Sequence, residues 1–210
     1  MKKGKLFINI ATLVLSLCLM VYGVYAAKSA TLQTSGKIGF IAHDAKVGVQ
    51  LTEISGAYSK DGTLVTTSNL KQVSGVKSEL TVTGTTASSI DLAYGSSSTA
   101  ADKALYFDDL TSSSDQDTIT PIELTFTVKN YSRFDVVVSN TSTTGNITVS
   151  SKTIKWTLTK PGTLTKSTNG TTAGGTGTLK IKLEYTFSGT SAADIAASAL
   201  NIPTITFAKA

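Results

Sequence analysis

The sequence predicts an all-β fold, an antiparallel β-sandwich with one or two short helices confined to its connections. Apolar residues recur with period two in run after run, which is the signature of strands with one buried face. The chain of 210 residues contains 35 Thr and 25 Ser, and β-branched Thr suits a pleated, half-buried surface. Charged residues make up only 16%, against roughly 25% in ordinary globular proteins, which argues against a coiled coil or charged helical bundle.

The first element is a leader. Lys2, Lys3 and Lys5 precede an apolar run from Leu6 to about Tyr25. Val24-Tyr25-Ala26 then supplies a signal-peptidase site, so cleavage is expected between Ala26 and Ala27. The rival reading is an uncleaved anchor, since about 20 apolar residues span a bilayer. Residues 1–26 are thus assigned as signal peptide and 27–210 as one β-sandwich domain. Cleavage removes Cys18, Met1, Met20 and three lysines, and the net charge of +5 falls to +2. Without a basic patch, nucleic-acid binding loses its support. Without cysteine, an exported domain rests on its core alone.

Strands follow in order. Lys37 to Ala42, Lys46 to Ile54 and Glu79 to Val82 are the candidates in the first half. The clearest is Ile122 to Lys129, where Ile122, Leu124, Phe126 and Val128 share one face. The pattern resumes at Phe134, Val136 and Val138 after Asn130-Tyr131-Ser132-Arg133, which predicts a hairpin with a four-residue loop. Ile154 to Thr159, Leu179 to Phe187 and Thr204 to Ala208 complete the set. The connections are Ser/Thr/Gly/Asn clusters: Thr85 to Ser89, Ser96 to Thr99, Thr111 to Ser114 and Thr163 to Gly177. The last is long enough to predict an exposed, mobile loop. Ala100 to Leu110 and Ser191 to Leu200 are the two helix candidates.

Candidate chemistry is sparse. The one histidine, His43, has no H-E-x-x-H partner, and one histidine cannot hold a catalytic zinc that needs three protein ligands. His43→Ala is therefore expected to leave function intact, and no catalytic residue and no cofactor is assigned. Asp108, Asp109, Asp115 and Asp117 form the one carboxylate cluster and are the calcium candidates, although their spacing is not that of an EF-hand. Ala173 to Gly177 imitates a phosphate loop, but a β-patterned run follows where a helix is required. Asn130, Asn140, Asn146 and Asn169 each begin a formal glycosylation sequon. Tyr58, Tyr94, Tyr106 and Tyr131 lie in or near loops and are the aromatics available for a sugar platform.

Two segments carry a family resemblance: Ala30-Thr31-Leu32-Gln33-Thr34-Ser35-Gly36-Lys37-Ile38-Gly39-Phe40 after the cleavage site, and the Thr125 to Ser139 stretch around Lys129-Asn130-Tyr131-Ser132. In this order of features the chain resembles the TasA/camelysin family of secreted bacterial proteins. The resemblance implies a jelly-roll sandwich, extracellular matrix fibres and a dedicated signal peptidase. The family's aromatic-rich segment near cleavage is replaced here by Tyr25-Ala26-Ala27-Lys28-Ser29, and a metalloprotease zinc site has no residues to occupy.

The expected function is a secreted structural protein of the bacterial cell surface or matrix, self-associating into fibres by strand addition. The expected donor is Ala27 to about Ser35, acting in trans, against the plainer reading of a tail or of pairing within its own sheet. The alternative function is an extracellular glycan-binding module or adhesin. Its partners would then be surface or matrix components, and contact with the membrane would end with the leader.

Overall fold

A computed structural model describes residues 32–35, 37–58, 63–66, 78–91, 105–107, 120–149, 152–185, 195–199 and 202–210. In chain order the strands are β1 (Leu32–Ser35), β2 (Lys37–Ser55), β3 (Leu80–Asp91), β4 (Leu105–Tyr106), β5 (Ile122–Asn130) and β6 (Val136–Val138), then β7 (Thr144–Val149), β8 (Lys152–Thr159), β9 (Thr176–Tyr185), β10 (Ile195–Ala199) and β11 (Ile205–Lys209). The protein is all-β, and among the described residues there is no helix. Both helix candidates are corrected where they are described: Leu105–Tyr106 and Ile195–Ala199 are strands that pair with β1.

The main sheet is curled into a half-barrel, in the order β6-β11-β2-β5-β9-β8-β7, with β3 paired to β2. It is mixed, not antiparallel throughout. β11 runs parallel to β2 with Ile205 opposite Phe40, and β1 runs parallel to β10 in a separate sheet of order β10-β1-β4. Hydrophobic period sets which face a strand buries, but carries no sign for strand direction.

The two strands expected at Lys37 to Ala42 and Lys46 to Ile54 are one strand, β2. It bends at Asp44, which holds a left-handed φ of 55°, a conformation Asp tolerates better than most residues. His43 and Asp44 are both exposed, and so are Thr52 and Glu53 at a second irregularity. Each doubled residue resets the alternation, so Phe40, Ala42, Val47, Val49, Leu51 and Ile54 all stay buried despite the slips. At the Asp44 bend β2 exchanges neighbours: residues 40–42 pair with β11 and residues 47–55 pair with β5.

β3 continues well past the expected end at Val82, through the cluster expected as a loop. Its ladder with β2 breaks at Gly84 (φ 69°) and resumes at Ser88. The predicted hairpin between β5 and β6 does not form. Both edges of β5 are taken, by β2 and by β9, so β6 pairs instead with β11 two strands away.

One buried cluster fills the curl. Phe40 stacks on Phe207 at 6.4 Å and meets Phe126 edge-on at 5.7 Å, joining β2, β11 and β5. Leu105 and Phe107, at and after β4, belong to the same cluster, and Phe107 packs 6.0 Å from Tyr185 on β9. The Tyr185 hydroxyl is buried there with no hydrogen-bond partner among the described residues.

Candidate functional site

The densest polar constellation gathers where β2 bends, at the end of β5. Its buried half is Asn130. After eight residues of alternation this position falls on the inward face, so an amide side chain is carried into the core, where it is fully inaccessible to solvent. Burial of that kind is tolerable only when each polar atom is bonded. Asn130 meets the condition completely. Its Nδ2 donates to the carbonyls of Phe134, Leu164 and Thr165 at 2.9–3.0 Å. Its Oδ1 accepts from the Ser132 amide at 2.8 Å, and its own amide and carbonyl exchange bonds with Gly175 and Gly174. Ser132 is buried beside it and accepts from the Lys46 amide at 2.7 Å, while the Tyr131 amide donates to the Lys46 carbonyl. The four-residue loop is therefore a plug in the corner that β2 opens between β11 and β5.

Most residues of Thr163 to Gly177 are exposed, as expected, but the same bonds tie the segment to the corner. Leu164 is buried and exchanges backbone hydrogen bonds with Val136, and the amide of the buried Ser167 donates to the Ser132 carbonyl. Side chains at Gly174 and Gly175 would collide with the backbone of residues 164–167, so only glycine lets the segment close this tightly. The amides of Gly174 and Gly175 donate to Asn130 and Thr165, which engages the groups a phosphate would need. The segment is a built part of the corner.

The exposed half lies on the outer face. Glu79, just before β3, accepts from Lys129 Nζ at 2.6 Å on one carboxylate oxygen and from the Tyr131 hydroxyl at 2.7 Å on the other. Gly48 makes the room: a Cβ there would fall on the Glu79 carboxylate and within 2.9 Å of the Tyr131 ring. Lys46 Nζ sits 5.9 Å from the centre of that ring, within cation–π range. Burial pushes the Glu79 carboxyl up, but the bonds from Lys129 and Tyr131 and the attraction of the ammonium together leave it below its ordinary value. The bond to Glu79 and its charge raise Lys129, and the same bond, with burial, raises Tyr131. A carboxylate held by a donor on each oxygen and a tyrosine whose proton is held on that carboxylate form no nucleophile–base pair. The arrangement fixes the start of β3 across β2 and β5. Farther along the outer face Glu184 bridges Lys182 at 2.8 Å and Lys155 at 3.7 Å.

Other sequence candidates are dispersed. Asp108, Asp109, Asp115, Asp117, Ala26, Ala27 and Tyr94 lie outside the described residues. His43 stands exposed on the β2 bend, and no group of three or more metal-ligating side chains exists among the described residues. Tyr106 is buried and exchanges backbone bonds with Tyr58 at 2.8 Å, while Tyr131 belongs to the corner. Asn130 is inaccessible, which removes its sequon. Asn140 is bonded to Thr204 and Thr206, and Asn169 to its own turn. Glu79 and Asn130 carried no signal of their role beyond Asn130 standing where an apolar residue was due. No known protein family, curated protein or solved structure matches this chain.

Proposed function

We propose that the protein is a secreted structural component of a bacterial cell surface or extracellular matrix that self-associates through strand addition. The observation that carries the proposal is the use made of the polar groups. The two best-organised polar constellations are engaged in bracing one sheet, with both Glu79 oxygens and every polar atom of Asn130 bonded within the fold. A hydroxyl-rich outer face on a braced sheet suits a scaffold more than a reaction centre. The leader-like N-terminus supports export, and the resemblance to TasA/camelysin proteins points in the same direction.

Within this reading the curled sheet and the β10-β1-β4 sheet act as the two layers of a jelly-roll-like sandwich, supported by Leu105 and Phe107 entering the common core. The donor is the segment reaching β1. In the structure β1 pairs with β10 and β4 of its own chain, but through short ladders: three register positions with β10, with an irregularity, and two with β4. Few bonds separate this arrangement from one in which β1 pairs with a neighbouring subunit. The test is negative-stain microscopy of the mature chain beside a truncation starting at Gly36. Filaments from the mature chain that are lost on truncation support the proposal. Filaments from both overturn the donor role. A monomer that binds polysaccharide establishes the glycan-binding alternative.

A further inference from the structure

Asn169-Gly170 is the one Asn-Gly step in the chain. Such a step is chemically labile because glycine has no Cβ to hinder the attack of its amide nitrogen on the Asn side chain. In that reaction the Gly170 nitrogen gives up its proton and bonds to Cγ of Asn169. The Cγ–Nδ2 bond breaks and the nitrogen leaves as ammonia. The succinimide then takes up one water and opens at either carbonyl, giving aspartate or isoaspartate, with no change of oxidation state.

The fold holds each participant away from this path. The Gly170 amide donates to Ser167 Oγ at 2.9 Å, which occupies the nucleophile. Asn169 Oδ1 accepts from the amides of Thr171 and Thr172 at 2.9 and 2.7 Å, and Nδ2 donates to Thr172 Oγ1 at 3.2 Å. Ser167 is buried, donates its hydroxyl proton to the Thr172 carbonyl at 2.5 Å, and is tied by its amide to Ser132 in the corner loop. Swinging the Gly170 nitrogen onto Cγ requires a rotation between residues 169 and 170 that these bonds oppose, and an attack of this kind needs the reacting atoms in line at contact distance.

We propose that Asn169-Gly170 is a latent deamidation site, silent while Ser167 is seated and released when the corner around Asn130 opens. The modification places a new negative charge, and in the isoaspartate form an extra backbone methylene, in an exposed turn. It marks chains whose corner has been open. The experiment is incubation of the full mature protein at mildly alkaline pH, with isoaspartate at residue 169 read by peptide mapping and charge by isoelectric focusing. The folded wild type is expected to stay unmodified while the urea-unfolded chain converts. Ser167→Ala is expected to convert on the order of tenfold faster than wild type, the rate equivalent of one lost hydrogen bond. Circular dichroism establishes whether Ser167→Ala is folded; if it is not, Ser167→Cys, which keeps the side chain's shape but replaces the hydroxyl acceptor of the Gly170 amide with a weakly accepting sulfur, takes its place. Conversion of the folded wild type at the unfolded rate overturns the proposal. So does a folded variant that converts no faster than wild type.

Discussion

Two buried polar side chains sit at different places in the same curled sheet and have opposite standing. Asn130, at the end of β5, is bonded at every polar atom it possesses. Tyr185, at the end of β9, carries a buried hydroxyl with no partner among the described residues, beside Phe107. Their depth is similar, and their fractional exposures are 0% and 3%. What differs is satisfaction. A buried donor that finds its acceptors organises the chain around it, whereas one that does not is carried only because the rest of its side chain fills the core. Asn130 gathers β5, the corner loop and the 163–175 segment; the Tyr185 hydroxyl gathers nothing among the described residues, and its burial pushes its pKa up.

The largest expected effect is therefore at Asn130. Asn130→Ala removes four side-chain bonds and strands the Phe134 carbonyl and the Ser132 amide, while the Leu164 and Thr165 carbonyls keep the amides of Val136 and Gly175; a loss of about 3–5 kcal/mol is expected in urea denaturation. A loss below about 1 kcal/mol would mean that the corner is held by backbone ladders alone. Next is Gly175→Ala, whose Cβ has to displace the backbone at Leu164 and Thr165, with about 2–3 kcal/mol expected by the same measurement.

Glu79→Gln tests the charged, outward half of the corner and is expected to cost about 0.5–1 kcal/mol, since Glu79 and Lys129 retain 25% and 33% of their side-chain exposure. It also carries a pH signature. Glu79 is lowered in the fold, so its contribution is complete above its ordinary value of 4.5 and is lost as pH falls through the lower folded value. Lys129 and Tyr131 are raised, so their contributions are complete below their ordinary values of 10.5 and 10.0 and are lost as pH rises through the folded ones. Thermal melts of Glu79→Gln are expected to flatten at both ends relative to wild type. Equal acid sensitivity in the two proteins would place the acid-labile group elsewhere. The smallest effect reverses sign: Tyr185→Phe removes a hydroxyl that has no partner among the described residues and is expected to stabilise the protein by about 0.5–1 kcal/mol, read as an increase in Tm. Destabilisation would show that the hydroxyl has a partner.

Much of the sheet is legible in the sequence. Period two places Ile122, Leu124, Phe126 and Val128 on one face of β5, and all four are buried. The same holds for Ile154, Trp156 and Leu158, for Leu179, Ile181, Leu183 and Tyr185, and for Ile205 and Phe207. The reason is local: on a pleated strand, which face a residue takes follows from its position alone. The corner is only half legible. Asn130 reads in the sequence as the first residue of a loop, although the period-two pattern carried one step further puts it on the buried face; its partners at Leu164, Thr165 and Gly175 lie more than thirty residues away, and nothing near it in the chain names them.

What tertiary structure decided is pairing and direction. Alternating sequence says that a strand needs a neighbour on each edge, but not which one. The nearest partner for β6 was β5, and it was unavailable because β2 and β9 already held both edges. The parallel pairing of β11 with β2 and the three-residue shift at Asp44 are likewise invisible in a pattern that reports only the face. The candidate helices failed for a related reason: β4 and β10 are short segments whose edges β1 occupies, and supplied backbone partners override weak local propensity. Burial preference is written residue by residue, whereas the partner of each backbone hydrogen bond is settled only when all the strands compete for the same few edges.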